Sequence, residues 1–150
     1  MNHKVAATFI LVAFMATVSA QEPTEDAAKV TAVLHLKRGM ALVERGRLEA
    51  AEREFDLALI AYPDGPALYS ARGNVRFQQK NYLGAIEDLD VYLTKVPDDA
   101  QMLLLRGIAK SLLEPEDVVG ACADFLNVRE HTKDMGIENY CHDQPGWKDT

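Results

Sequence analysis

The chain has 150 residues, a formal net charge of -7 and an apolar fraction of 48%. This composition excludes a wholly disordered chain, and the acidic balance argues against general nucleic-acid binding, because phosphates need Lys and Arg to neutralise them. Two cysteines permit at most one disulfide, so the chain is not a disulfide-rich scaffold. The length fits one small domain.

Residues 1–20 have the layout of a secretory signal peptide. Lys4 precedes an apolar stretch that only two threonines interrupt, and the small residues Ser19 and Ala20 close it. The stretch is shorter than the ~20 residues that span a bilayer, so a cleaved peptide is favoured over a permanent anchor. We therefore expect cleavage after Ala20 and an extracytoplasmic mature protein, in a bacterial periplasm or secreted, with no membrane span.

A period of 34 residues organises the rest of the chain. Three residue types keep this period: Gly39, Gly73 and Gly107; Ala51 and Ala85; Pro63 and Pro97. Small residues let helices approach closely, and proline ends a helix because it lacks an amide proton. The period therefore predicts a repeated structural unit of 34 residues.

This register resembles the tetratricopeptide repeat, a helix–turn–helix unit of the same length. The family pattern places a small residue on the first helix, then Ala, an aromatic residue and Ala on the second, then Pro. The first repeat matches it with Gly39, Ala51, Phe55, Ala58 and Pro63. The resemblance implies an all-α fold, an α-α superhelix of about three tetratricopeptide helix-turn-helix repeats.

The resemblance also sets the expected boundaries. An N-terminal segment covers 21–31, and a C-terminal capping segment covers 136–150. Between them lie repeats at 32–65, at 66–99 and, with a two-residue insertion, at 100–135. Helices are predicted at about 25–45, 48–61, 66–80, 82–95, 100–113 and 116–130, with a short closing helix near 136–142. Thr24 is expected to cap the first helix, and Gly46 and Asn81 to supply left-handed turns.

In proteins of this family the first helix of each repeat lines a concave groove that takes peptides or partner helices. The positions carried over are Val33, Leu36, Met40, Val43, Ala67, Ser70, Asn74, Phe77, Gln101, Leu104, Ile108 and Ser111. Phe77 is the expected anchor, because aromatic residues often dominate the binding energy of interfaces. The alternative is that several of these side chains simply pack between helices.

Chaperone-binding members of the family hold a terminal carboxylate with Lys, Asn and Arg on these helices. The matching positions are Leu36, Met40, Ala71, Gln101 and Leu105. None of them is basic, so we expect no carboxylate clamp.

Charged residues keep the period as well. An arginine precedes each repeat glycine, and an acid precedes each packing position of the second helix. These residues are Arg38, Arg72 and Arg106, with Glu54, Asp88 and Asp124. The register indicates ion pairs within or between repeats, and solvated surface charge is the alternative.

Cys122 and Cys141 are expected to form a disulfide, because an exported protein meets an oxidising compartment. The bond would hold the tail to the last repeat and stabilise it by about 3 kcal/mol. The alternatives are two free thiols, or a zinc site in which the cysteines are joined by His131 and His142, with Asp143 beside them. The spacing matches no standard zinc motif. The stretch 120–125, followed by a second cysteine, resembles the tail of small exported bacterial repeat proteins.

The sequence contains no Gly-rich phosphate loop and no His-Glu-x-x-His or Gly-x-Ser-x-Gly motif, so we expect neither an enzyme nor a cofactor. The expected function is binding of a peptide or partner protein of unknown identity through the concave face. A structural or assembly role in the cell envelope, acting by self-association, is the alternative.

Overall fold

The computed structural model describes residues 24–113, 117–128 and 141. The predicted signal peptide lies outside the described residues. So does the predicted capping segment apart from Cys141.

Six α-helices make up the described part of the chain. They are α1 (Glu25–Glu44), α2 (Leu48–Ala61), α3 (Pro66–Gln78), α4 (Tyr82–Lys95), α5 (Ala100–Ser111) and α6 (Val118–Asn127). Consecutive helices pair as hairpins, and the hairpins stack through contacts between α2 and α3 and between α4 and α5. The predicted all-α superhelix of helical repeats is confirmed, and the helices differ from their predicted positions only at their ends.

Side-chain caps begin four of the helices. Thr24 accepts a hydrogen bond from the amide of Ala27 at 3.4 Å, as predicted, and so supports the start of α1. Asn81, Asp99 and Asp117 accept amide protons in the same way at the starts of α4, α5 and α6. Each cap satisfies an amide that has no partner within its helix.

The turns inside the first two hairpins use equivalent positions. Gly46 has φ +69°, so its predicted left-handed conformation is confirmed. The same prediction for Asn81 is wrong, because Asn81 caps α4 with φ -82°. The left-handed residue there is Lys80, with φ 63°, one repeat period after Gly46. A side chain that caps a helix needs a non-helical backbone, so the residue before it makes the turn.

The repeat glycines are places where two helices of one hairpin come close. The ring of Phe55, which is buried, lies directly against Gly39, and the ring of Phe125 lies against Gly107. A Cβ at Gly73 would instead lie 3.3 Å from Cγ of the smaller residue Leu89. Two hairpins are therefore closed by an aromatic ring over glycine, and the middle hairpin is closed by leucine.

Ion pairs connect the hairpins. Arg72 donates to Asp88 of its own hairpin at 2.9 and 2.6 Å, and to Asp56 of the preceding hairpin at 2.7 Å. Asp88 is only 2% exposed and also accepts from Arg76 at 3.0 Å. Burial alone would lower the pKa of Arg72, but the hydrogen bonds to both carboxylates outweigh it and raise the pKa above its ordinary value.

The last hairpin repeats this arrangement. Arg106 donates to the buried Asp124 of its own hairpin and, at 2.6 Å, to Asp90 of the preceding one. The hydrogen bond to Asp124 is the main reason that the pKa of Arg106 is raised, with burial acting against it. Lys110 also donates to Asp124, at 2.9 Å. The ion pairs predicted for the second and third arginines are therefore present.

The prediction that the first arginine, Arg38, also forms an ion pair is wrong. Glu54 is instead hydrogen-bonded to Nδ1 of His35 at 2.8 Å. Arg38 is exposed and has no ion-pair partner within the described residues. The described chain has no helix before α1 that could supply a second carboxylate, and His35 already occupies the first.

Candidate functional site

The first helices of the three hairpins lie side by side, because α3 contacts both α1 and α5. A groove of about 450 Å³ runs between α1 and α3 and reaches the start of α5. Its lining is mostly apolar and consists of Leu36, Met40, Val43, Glu44, Phe55, Ala67, Ser70, Ala71, Asn74, Val75 and Met102. We call this the α1–α3 groove.

Six of the predicted binding residues line the α1–α3 groove, namely Leu36, Met40, Val43, Ala67, Ser70 and Asn74. Leu36, Met40 and Val43 come from successive turns of α1, and Asn74 faces them from α3. Their spacing of three or four residues places them on one side of each helix. Met40 lies between Leu36 and Val43 on the α1 side of the groove, and its unbranched apolar side chain is 53% exposed to solvent.

The other six predicted residues, which include Val33 and Ser111, do not line the groove. The ring of Phe77 packs edge-on against Tyr82, with centroids 5.6 Å apart, so the expected anchor helps to close its own hairpin. Gln101 is exposed at the start of α5. Leu104 and Ile108 pack against the buried cluster around Cys122. Packing between helices, the alternative left open for these positions, therefore applies to Leu104 and Ile108.

The polar groups of the groove have distinct capacities. Asn74 accepts a hydrogen bond from Nε2 of Gln78 at 2.7 Å through its Oδ1, which leaves the two N–H donors of its amide available. Ser70 donates to the carbonyl of Ala67 at 3.1 Å, so its oxygen can still accept. One donor and one acceptor group beside an apolar wall suit a peptide backbone.

Five lining residues were not predicted for the groove: Glu44, Phe55, Ala71, Val75 and Met102. Two of them, Met102 and Glu44, extend the groove beyond the predicted positions. Met102 is on α5, two residues into the helix, and a long flexible side chain at that position reaches across from the neighbouring hairpin. Glu44 is the last residue of α1, one position after Val43. The helical spacing carried over from the repeat pattern omitted both, although Glu44 adjoins a residue that it included.

Cys122 and Cys141 are joined by a disulfide in the structure, with Cα atoms 5.7 Å apart. Both residues are buried in a cluster with Ala121 and Phe125. This contact holds position 141 against the last hairpin. The histidines and the aspartate of the alternative zinc site, at positions 131, 142 and 143, lie outside the described residues. Among residues 24–113, 117–128 and 141, no group of three metal-ligand side chains is gathered.

None of the helices in the described ranges combines the length and apolarity that crossing a membrane requires.

Comparison with known proteins identifies the repeat. Residues 36–109 match a family model described as tetratricopeptide repeat. No curated protein matches the chain. Among the solved structures that share the fold, two cover most of the chain. The first is the first tetratricopeptide domain of Spaghetti (RPAP3) bound to the HSP90 peptide SRMEEVD, with a TM-score of 0.65 and 19% identity, covering 76% of this chain and 90% of that one.

The second structure is the N-terminal domain of stress-induced protein-1 (STI-1) from C. elegans. It has a TM-score of 0.63 and 17% identity, and the match covers 78% of this chain and 96% of that one. At these identities the likeness concerns the fold. The family model and the shared fold together support the tetratricopeptide repeat family, and the described helices form its all-α helical-repeat superhelix.

Proposed function

We propose that the chain is an exported protein-interaction module that binds a peptide or a segment of a partner protein in the α1–α3 groove. The observation that supports this most directly is the groove itself, in which the half-exposed Met40 stands between Leu36 and Val43 and faces the amide of Asn74. Binding would remove this apolar surface from water, at about 25 cal/mol for each Å² buried.

The fold comparison supports the same proposal. A domain with this fold is described as bound to an HSP90 peptide. The arrangement of helices in the present chain offers an apolar groove and hydrogen-bonding groups on the first helices of its hairpins. The non-catalytic character of the module is part of the proposal.

The test is capture of a partner by the tagged mature protein from an envelope extract. Met40→Glu should abolish capture, because it places a carboxylate within the apolar wall. Leu83→Glu is the matched control, since Leu83 is 57% exposed, comparable to Met40, and lies on α4 away from the groove. Unchanged capture by Met40→Glu, or loss that accompanies lost helicity, would contradict the proposal.

Export and the disulfide are parts of the proposal with tests of their own. N-terminal sequencing of the protein isolated from the cell envelope or the medium should begin at Gln21, and a sequence that begins at Met1 would refute cleavage. Titration of the denatured, unreduced protein should detect no thiol from Cys122 or Cys141. Two reactive thiols would show that the bond is not formed in the exported protein.

Self-association is the second candidate, and the outer surface of α1 favours it. Leu34 is 48% exposed, whereas Leu68, one period later, is 4% exposed beneath the preceding hairpin. Another copy could cover Leu34 as the first hairpin covers Leu68. Light scattering distinguishes the two functions, because a monomer at all concentrations tested would exclude an assembly role.

A further inference from the structure

We infer that the α1–α3 groove selects an apolar peptide segment that carries one lysine or arginine, which pairs with Glu44. This inference rests on the proposed function of the groove and names the chemistry of its occupant. It is argued from the charge, the hydrogen-bonding groups and the apolar lining of that one surface.

Glu44 is the only charged side chain among the described residues that line the groove. It is exposed, and it has no ion-pair partner within the described part of the chain. Arg45 and Arg47 follow it, but they neither line the groove nor pair with it. Its carboxylate is therefore available to a ligand.

The helix that carries Glu44 strengthens its field. Glu44 is the last residue of α1, at the end of the helix dipole that carries partial negative charge, and the last turn of that helix contains no basic residue before the cap residue Arg45. The chain as a whole has a formal charge of -7. A cation approaching this end of the groove is attracted by the Glu44 carboxylate and the helix terminus, against the repulsion of Arg45 and Arg47, which do not line the groove.

The rest of the groove fits the remainder of such a segment. Met40 and Met102 are flexible thioethers that adapt to apolar side chains of different shape. The free N–H groups of Asn74 can donate to a peptide carbonyl. An acidic segment would instead bring a carboxylate beside Glu44, with no basic lining residue to compensate.

The test is selection from a phage library of random dodecapeptides against the mature protein, followed by fluorescence anisotropy. The most enriched peptide is synthesised with a fluorescein label, together with a version in which its basic residue is glutamate. We expect enriched sequences that combine apolar residues with one Lys or Arg. Glu44→Lys should lower the affinity for the basic peptide about fivefold and raise the affinity for the acidic version.

Two variants make the outcomes distinguishable. Glu87→Lys changes the net charge equally on the exposed side of α4, and it should leave both affinities within about twofold of the wild type. Met40→Glu should abolish binding of either peptide.

If Met40→Glu abolishes binding but Glu44→Lys leaves the preference between the peptides unchanged, the inference is overturned and the proposed function stands. If no peptide is enriched, or if Met40→Glu binds normally, both are overturned. A dimer that Met40→Glu dissociates would identify a second copy as the occupant and would also overturn the inference.

Discussion

The repeat glycines allow one substitution to be compared at three equivalent positions. Alanine at Gly39 would place a methyl group within the ring of Phe55, which is 1% exposed and packs with Ala51 and Val75. Alanine at Gly73 would contact Cβ of Asp88 at 3.2 Å, an overlap of a few tenths of an ångström. The same change therefore meets a rigid ring in one hairpin and a slight crowding in the next.

The magnitudes follow from two opposing effects. Replacing glycine with alanine inside a helix gains about 1 kcal/mol of helix propensity. Overpacking a buried ring costs about 3 kcal/mol, so Gly39→Ala should lower the free energy of unfolding by about 2 kcal/mol. At Gly73 the small overlap and the propensity gain nearly cancel. Gly107→Ala should resemble Gly39→Ala, because its methyl group would meet the ring of Phe125.

Urea denaturation followed by far-ultraviolet circular dichroism measures these free energies. The difference between Gly39→Ala and Gly73→Ala is the critical quantity, since both variants share the change in propensity. A Gly73→Ala variant as unstable as Gly39→Ala would refute the argument that the ring sets the cost. A double variant, Gly39→Ala with Phe55→Leu, should recover part of the loss, because the ring that is displaced is then absent.

Three further effects are expected. Asp88→Ala should lower the free energy of unfolding by about 3 kcal/mol in urea denaturation, because Arg72 loses a buried partner. Asp90→Ala removes the carboxylate of an exposed pair and should lower it by less than about 1 kcal/mol. Equal losses of stability in the two variants would contradict this. Lys80→Gly should raise the free energy of unfolding by about 1 kcal/mol in the same assay, because glycine adopts the positive φ of this position without strain. A loss of stability would contradict the left-handed turn at position 80. The hydrogen bond from Tyr92 to Asp99, the carboxylate that caps α5, raises the pKa of Tyr92. The stability that this bond contributes is therefore complete below the pKa of tyrosine in the unfolded chain and is lost as the pH rises through the folded pKa. The phenolate difference spectrum against Tyr92→Phe should show an inflection above the ordinary tyrosine pKa, and an inflection at or below it would contradict this.

The repeat period predicted the helices well because each residue type that keeps it has one structural role. Glycine permits a close approach, and Pro63 and Pro97 mark the segments between hairpins. The helical fold could therefore be predicted from a few positions. The error at the second turn arose because asparagine suits both a left-handed turn and a helix cap, and the choice depended on a register difference of one residue.

The groove was harder to predict because equivalent positions have different neighbours. Leu36 lies in the groove, whereas Leu104, two periods later, is covered by the cluster that includes the disulfide. Likewise Arg72 pairs with two carboxylates, whereas Arg38 pairs with none in the described part of the chain, where α1 is the first helix. A repeated sequence predicts shared backbone geometry. It does not predict what lies beyond the first and last units.

The ion pairs of Arg72 and Arg106 determine where further repeats could be added to the array. Each arginine donates to one carboxylate of its own hairpin and to one of the hairpin before it, and the acceptors Asp56 and Asp90 have the same spacing as the two arginines. If a second copy of residues 66–99 were inserted after position 99, the arginine equivalent to Arg72 in that copy would pair with Asp90. The copy's own equivalent of Asp90 would then pair with Arg106. Whole repeats can therefore be inserted between the existing ones with their ion pairs intact. A repeat added before α1 would have to contain a carboxylate that pairs with Arg38.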